Sequence, residues 1–208
     1  MKDENGRGRE EIATELQRAR AATLSLFSLV AREADLHESP GYGFRPIIWH
    51  LAHIGVFEAY WILQKTKGDA SPDARYERIF DPIATPREQS KELPSRREME
   101  AYLARVRERV LEFLDRAPFD TFAIGDPLLR DVYVFRLVLE HERQHQETLA
   151  YLLQLLDPAK KSRPRASNAS GESAHLSSTS AASPAGSVSA AQPPGEMVEV
   201  PACEFRMG

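Results

Sequence analysis

In four separate segments of this chain, apolar residues return every third or fourth position, and almost nowhere do they alternate as in a half-buried strand. A chain patterned this way must bury helical stripes against one another, and an antiparallel four-helix bundle does so most simply. The first segment runs from about Arg9 to Asp35, with Ile12, Leu16, Ala19, Leu26 and Val30 on its stripe. The second runs from about Pro46 to Lys67 and opens on a proline suited to a first helical turn. The third spans about Ser95 to Ala117. Its opening "SRRE" is a capping box, in which Ser95 and Glu98 satisfy each other's orphan amides. The fourth runs from about Pro127 to Leu156, with Asp126 as its N-cap. The expected fold is therefore all-α, a four-helix bundle over residues 1–157.

The remaining segments differ in character. Residues 68–94, "GDASPDARYERIFDPIATPREQSKELP", are long for a bundle connection and rich in proline and charge, so they are expected to form a functional loop. After Asp157 the chain turns to Ser, Ala, Pro and Gly. Residues 158–196 are expected to be a disordered linker carrying a solvated His175, because they offer too little apolar surface to offset ordering. Residues 197–208, "MVEVPACEFRMG", alternate like a strand and read as the truncated beginning of another domain, in which Cys203 packs. His37 reads as solvated or capping.

Charge and cysteine usage narrow the function. A net charge of −4 with mixed signs gives no electrostatic case for nucleic acid or an anionic membrane. No apolar run approaches the roughly 18 residues a membrane span needs. The polar, acidic start is not expected to be a secretory signal. A lone cysteine leaves no internal disulfide framework, so a reducing, cytoplasmic setting is expected.

The chemistry gathers in "HERQHQETLAYLL", residues 141–153. Four residues advance about 400° around a helix, so His141 and His145 project together, on the stripe that carries Val134, Val138, Leu149 and Leu152. Two neutral imidazoles there need partners, and two protonated ones repel. A divalent metal resolves both problems. The polar neighbours Glu142, Arg143, Gln144, Gln146 and Glu147 read mostly as a solvated face, with Gln144 and Glu147 available as contacts to the metal ligands or a substrate. The second helix offers further donors in "PIIWHLAHIGVFEAYWIL", where His50 and His53 lie on different apolar stripes. Periodicity alone does not choose between them. Three protein donors with open positions characterise catalytic sites, and an all-imidazole set suits ferrous iron or zinc.

"WHLAHIGVFEAYWIL" together with "LEHERQHQETLAYLL" resembles the DinB-like helical domain of the ergothioneine-type sulfoxide synthases. These non-heme iron enzymes join a cysteine-derived thiol to a trimethylated histidine with dioxygen. Their helical domain is followed by a linker and a formylglycine-generating-enzyme-like (sulfatase-modifying-factor) domain, whose opening resembles "MVEVPACEFRMG". The resemblance implies iron ligands at His53, His141 and His145, with His50 outside the set. It also implies that Gln144 faces an imidazole substrate and that Arg87 holds a substrate carboxylate. The implied cofactor is Fe(II), with Zn(II) as the alternative, and the implied partners are a thiol, an imidazole compound and dioxygen. Completing such an enzyme calls for the second domain, from this chain or a separate one. The other readings are a stand-alone DinB-like metal-dependent hydrolase or thiol transferase, and an inactive helical fragment.

Overall fold

The computed structural model describes residues 2–118 and 126–162. Within them the fold is all-α, as the periodicity predicts. Four long helices, α1 (Lys2–Phe27), α3 (Ile47–Glu58), α5 (Arg96–Arg116) and α6 (Tyr133–Leu155), are joined by the short α2 (Glu33–Leu36) and α4 (Ala74–Phe80). α1 packs on α6, α6 on α3, α3 on α5 and α5 on α1, which closes the bundle. No described helix is long and apolar enough to cross a membrane. The expected linker, with His175, and the strand-like stub with Cys203 lie outside the described residues, apart from residues 158–162.

Local chemistry sets most of the boundaries. The capping box before α5 forms as its sequence demands: Ser95 Oγ accepts from the Glu98 amide, and the Glu98 carboxylate accepts from the Ser95 amide. α3 starts directly after Pro46 and runs without a break into a π-helical continuation, Ala59–Thr66, so one rod covers the expected second segment. Gly55 in that rod lets α3 approach α5 closely. A Cβ there would sit 3.0 Å from the Tyr102 ring and 3.1 Å from Leu103.

Three expectations need correction. The first helix ends at Phe27 rather than near Asp35, because the backbone of Leu29 and Ala31 bonds to Ser162 and Lys160, and Val30 bridges Lys161. That pairing draws residues 158–162 onto the helical unit. The last helix starts at Tyr133 rather than Pro127: Asp131 and Val132 adopt left-handed backbone, with φ of 51° and 55°. Asp126 accepts from the Leu128 amide and thus caps only the preceding turn. Residues 68–94 are not all loop, since Asp73 caps α4 through the Arg75 and Tyr76 amides, and Tyr76 and Phe80 are buried.

Among the core aliphatics lies a group of four buried charges, one from each long helix. Arg20 (α1) donates to Glu58 (α3) at 2.8 Å and to Glu142 (α6) at 2.8 Å. Arg107 (α5) donates to the same two carboxylates at 2.6 and 2.9 Å. Thr23 adds a hydrogen bond to Glu142 at 2.9 Å. Glu142 is therefore not part of a solvated face, as its polar neighbours suggested; it is 1% exposed. Burial by itself raises the Glu58 pKa, but Arg107 and Arg20 outweigh burial and hold it below its usual value. Removing one member leaves a buried charge uncompensated. Glu142→Ala is expected to lose about 3–5 kcal/mol of stability in urea unfolding, and a loss under about 1 kcal/mol would contradict a desolvated quartet.

Candidate metal centre

α3 and α6 cross so that His53, His141 and His145 each offer a ring nitrogen, all within 4.8 Å of one another. Their positions follow from helix geometry. His141 and His145 are one turn apart on α6, and His53 sits on the α3 face that meets them. Both His50 and His53 are buried, so neither stripe of α3 faces solvent.

Each of the three rings is held by its own contact. His53 Nδ1 lies 2.9 Å from the Phe80 carbonyl, which can only accept; Nδ1 therefore carries the proton, and the Nε2 lone pair is free. The same ring stacks on Trp49, at 4.4 Å between centroids. His141 stacks flat on Phe57 at 3.6 Å and 10°. His145 Nδ1 lies 3.0 Å from His50 Nδ1.

The electrostatics favour neutral rings. Burial pushes His141 down to about 2, with repulsion from His145 and His53 adding to it. Burial also takes His145 to about 3, helped by His53. His50 goes to about 3 through burial, then His145, His53 and Arg45. His53 is lowered as well, chiefly by burial, against the opposing bond to Phe80. His141 Nδ1 is buried and has no hydrogen-bond partner among the described residues. A cation suits this donor set: the rings are already deprotonated and one polar atom is orphaned.

The centre opens onto two clefts. One, of about 380 Å³, is lined by His50, His53 and His145 together with Arg45, Arg87 and Thr148. The other, of about 400 Å³, runs from His53 along Phe57, Tyr60 and Trp61 to Asp81 and Ile83. Arg87 thus comes to the site, exposed at the rim, where Nη1 donates to the Gly43 carbonyl at 2.8 Å. Gly43 has φ of 81°, a conformation that glycine adopts without strain. Gln144 is exposed on α6 and lines neither cleft. Arg45 was not foreseen. It is buried, its guanidinium lies 4.4 Å from the Trp49 ring centroid, and it donates to Ser90 Oγ and to the Pro82 and Thr85 carbonyls. This single side chain ties the segment bearing Arg87 to the start of α3. A cation directly before Pro46 was its only trace in the sequence.

The depressed imidazoles make the metal-free protein sensitive to mild acid. Between their lowered values and the ordinary 6.5, the folded state binds fewer protons than the unfolded chain. Their contribution is complete above about pH 7 and is lost progressively as pH falls from 6.5 toward the lowered values near 3. The melting temperature in chelator is expected to drop by several degrees between about pH 7.5 and about pH 5. An unchanged melting temperature would mean that the rings are solvated.

Residues 15–149 match the family model described as the DinB superfamily. Among curated relatives, the "Hercynine oxygenase" of Mycolicibacterium smegmatis is 36% identical over 155 residues, covering 71% of this chain and 33% of that protein. The "Hercynine oxygenase" of Mycolicibacterium thermoresistibile is 33% identical over 153 residues, covering 71% of this chain and 31% of that protein. That of Mycobacterium tuberculosis is 35% identical over 153 residues, with 70% and 33% covered. The chain spans about a third of the length of these relatives.

Proposed function

The chain belongs to the DinB superfamily, and from that premise we propose that it is the metal-binding part of an oxygen-dependent enzyme acting on hercynine. In this reading His53, His141 and His145 hold one ferrous ion, and the reaction joins a thiol sulfur to the imidazole of the trimethylated amino acid, as in ergothioneine biosynthesis. The observation that carries the proposal is the convergence of three neutral imidazoles from two helices, with room left beside them. The shared likeness to three proteins called hercynine oxygenase supports the substrate.

A ferrous ion bound there supplies redox chemistry toward dioxygen and an electrophilic seat for a thiolate. Residues of this chain hold and orient the centre. Phe80, Trp49 and Phe57 keep the rings oriented, so that the open side of the centre faces the clefts. Arg87 binds a substrate carboxylate at the rim of the first cleft; Gln144, exposed one residue before His145 and outside both clefts, meets the imidazole substrate only where that substrate extends beyond them. Phe44, Tyr60 and Ile83 stand exposed along the clefts, which further residues of the polypeptide or a second chain cover to exclude water. The domain order proposed is a helical unit over residues 1–157, a linker to residue 196, and the start of a sulfatase-modifying-factor-like domain at residues 197–208. A reducing, cytoplasmic setting suits both ferrous iron and a thiol substrate.

Anaerobic titration of the full chain with Fe(II), and separately with Zn(II), is expected to show one ion per chain. His→Ala at residue 53, 141 or 145 is expected to weaken that binding by at least about tenfold. The iron-loaded chain, supplemented with the rest of the enzyme, is expected to take up oxygen only when hercynine and a thiol are both present. Zinc-supported thiol transfer or hydrolysis without oxygen uptake would contradict the oxygenase reading.

A further inference from the structure

His50 has no place in the proposed ligand set, yet it is buried beside it. Its Nδ1 lies 3.0 Å from Nδ1 of His145, with the ring centroids 5.2 Å apart. A contact of that length between two imidazole nitrogens needs one proton between them: two N–H groups would collide, and two lone pairs would repel. Only two arrangements are left. If His50 donates, His145 must carry its own proton on Nε2 and has no lone pair to give a cation. If His145 donates from Nδ1, its Nε2 is bare and His50 accepts with its proton on Nε2.

We propose that His50 is a positioning residue: through its Nδ1 it accepts the Nδ1–H of His145, which fixes His145 as the tautomer that presents Nε2 to a metal. The proposal rests on the metal-site reading above and adds a role for a residue outside the ligand set. It completes a pattern, because His53 is fixed in the same sense by the Phe80 carbonyl. His50 sits one turn before His53 on α3, and its ring meets Trp49 edge-on at 5.4 Å, so its own orientation is set by packing. One helix thus supplies both a ligand and the group that orients a ligand on the neighbouring helix. The His50 ring also lines the cleft that holds Arg45 and Arg87.

Two measurements test this on the full chain. In metal-free protein labelled with nitrogen-15, long-range proton–nitrogen spectra separate the two neutral tautomers. The expected result is His145 protonated on Nδ1 and His50 on Nε2; His145 protonated on Nε2 would overturn the proposal. The second measurement is Zn(II) affinity in two variants of similar size, with the fold monitored by circular dichroism. His50→Asn places a carbonyl oxygen where Nδ1 stood, whereas His50→Leu places a methyl group there. Leu is expected to weaken binding by about 10–100-fold, with Asn staying within a few-fold of wild type. Equal affinity in the Leu variant overturns the role, and so does an equal loss in both variants. If wild type binds no stoichiometric metal, the metal-site reading itself fails, an outcome distinct from either of these.

Discussion

Two guanidinium groups and two carboxylates, each from a different long helix, sit where the bundle would otherwise be hydrocarbon. Such a group contributes little net stability compared with well-packed aliphatics, because desolvating four charges offsets most of their attraction. Its effect is on register. Every Glu58 and Glu142 oxygen accepts from an arginine, and this holds for one rotation of each helix and fails for its neighbours. Glu142 lies between His141 and His145 in sequence and about 60–100° around the helix from them. When Glu142 turns toward Arg20 and Arg107, the two imidazoles turn toward α3. The charge quartet and the histidine centre are therefore consequences of a single helix orientation.

From that orientation the site is assembled by contacts that leave little freedom. Two of the three rings lie flat against aromatic partners, and two have an Nδ1 engaged by a neighbour, Phe80 for His53 and His50 for His145. Rigidity of this kind keeps donors converged without a cation present, at the cost of placing mutually repelling groups in a poorly solvated pocket. Arg45 extends the same logic outward by tying the segment that carries Arg87 to the base of α3.

Much of this was legible in the sequence. The 3.6-residue period marked all four long helices, the "SRRE" box marked the start of α5 to the residue, and the four-residue spacing put His141 and His145 on one face. What escaped depends on contacts distant in the chain. α1 stops early because residues 160–162 return to pair with its end, and no local pattern announces that pairing. α6 starts late because Asp131 and Val132 take left-handed backbone, which a valine almost never signals. The burial of Glu142 could have been suspected from Arg20 and Arg107 lying on core-facing stripes of other helices, but only once the helix registers were known. Between His50 and His53 the period alone had no basis for choice, since both stripes are buried.

The central claim is that three imidazoles from two helices share one ion, and X-ray absorption on the Fe(II)-loaded full chain tests it most directly. The account predicts three imidazole nitrogens at about 2.0–2.2 Å from the metal, with the imidazole scattering diminished when His53, His141 or His145 is replaced. A spectrum of oxygen ligands only, or one that none of those replacements changes, would contradict it.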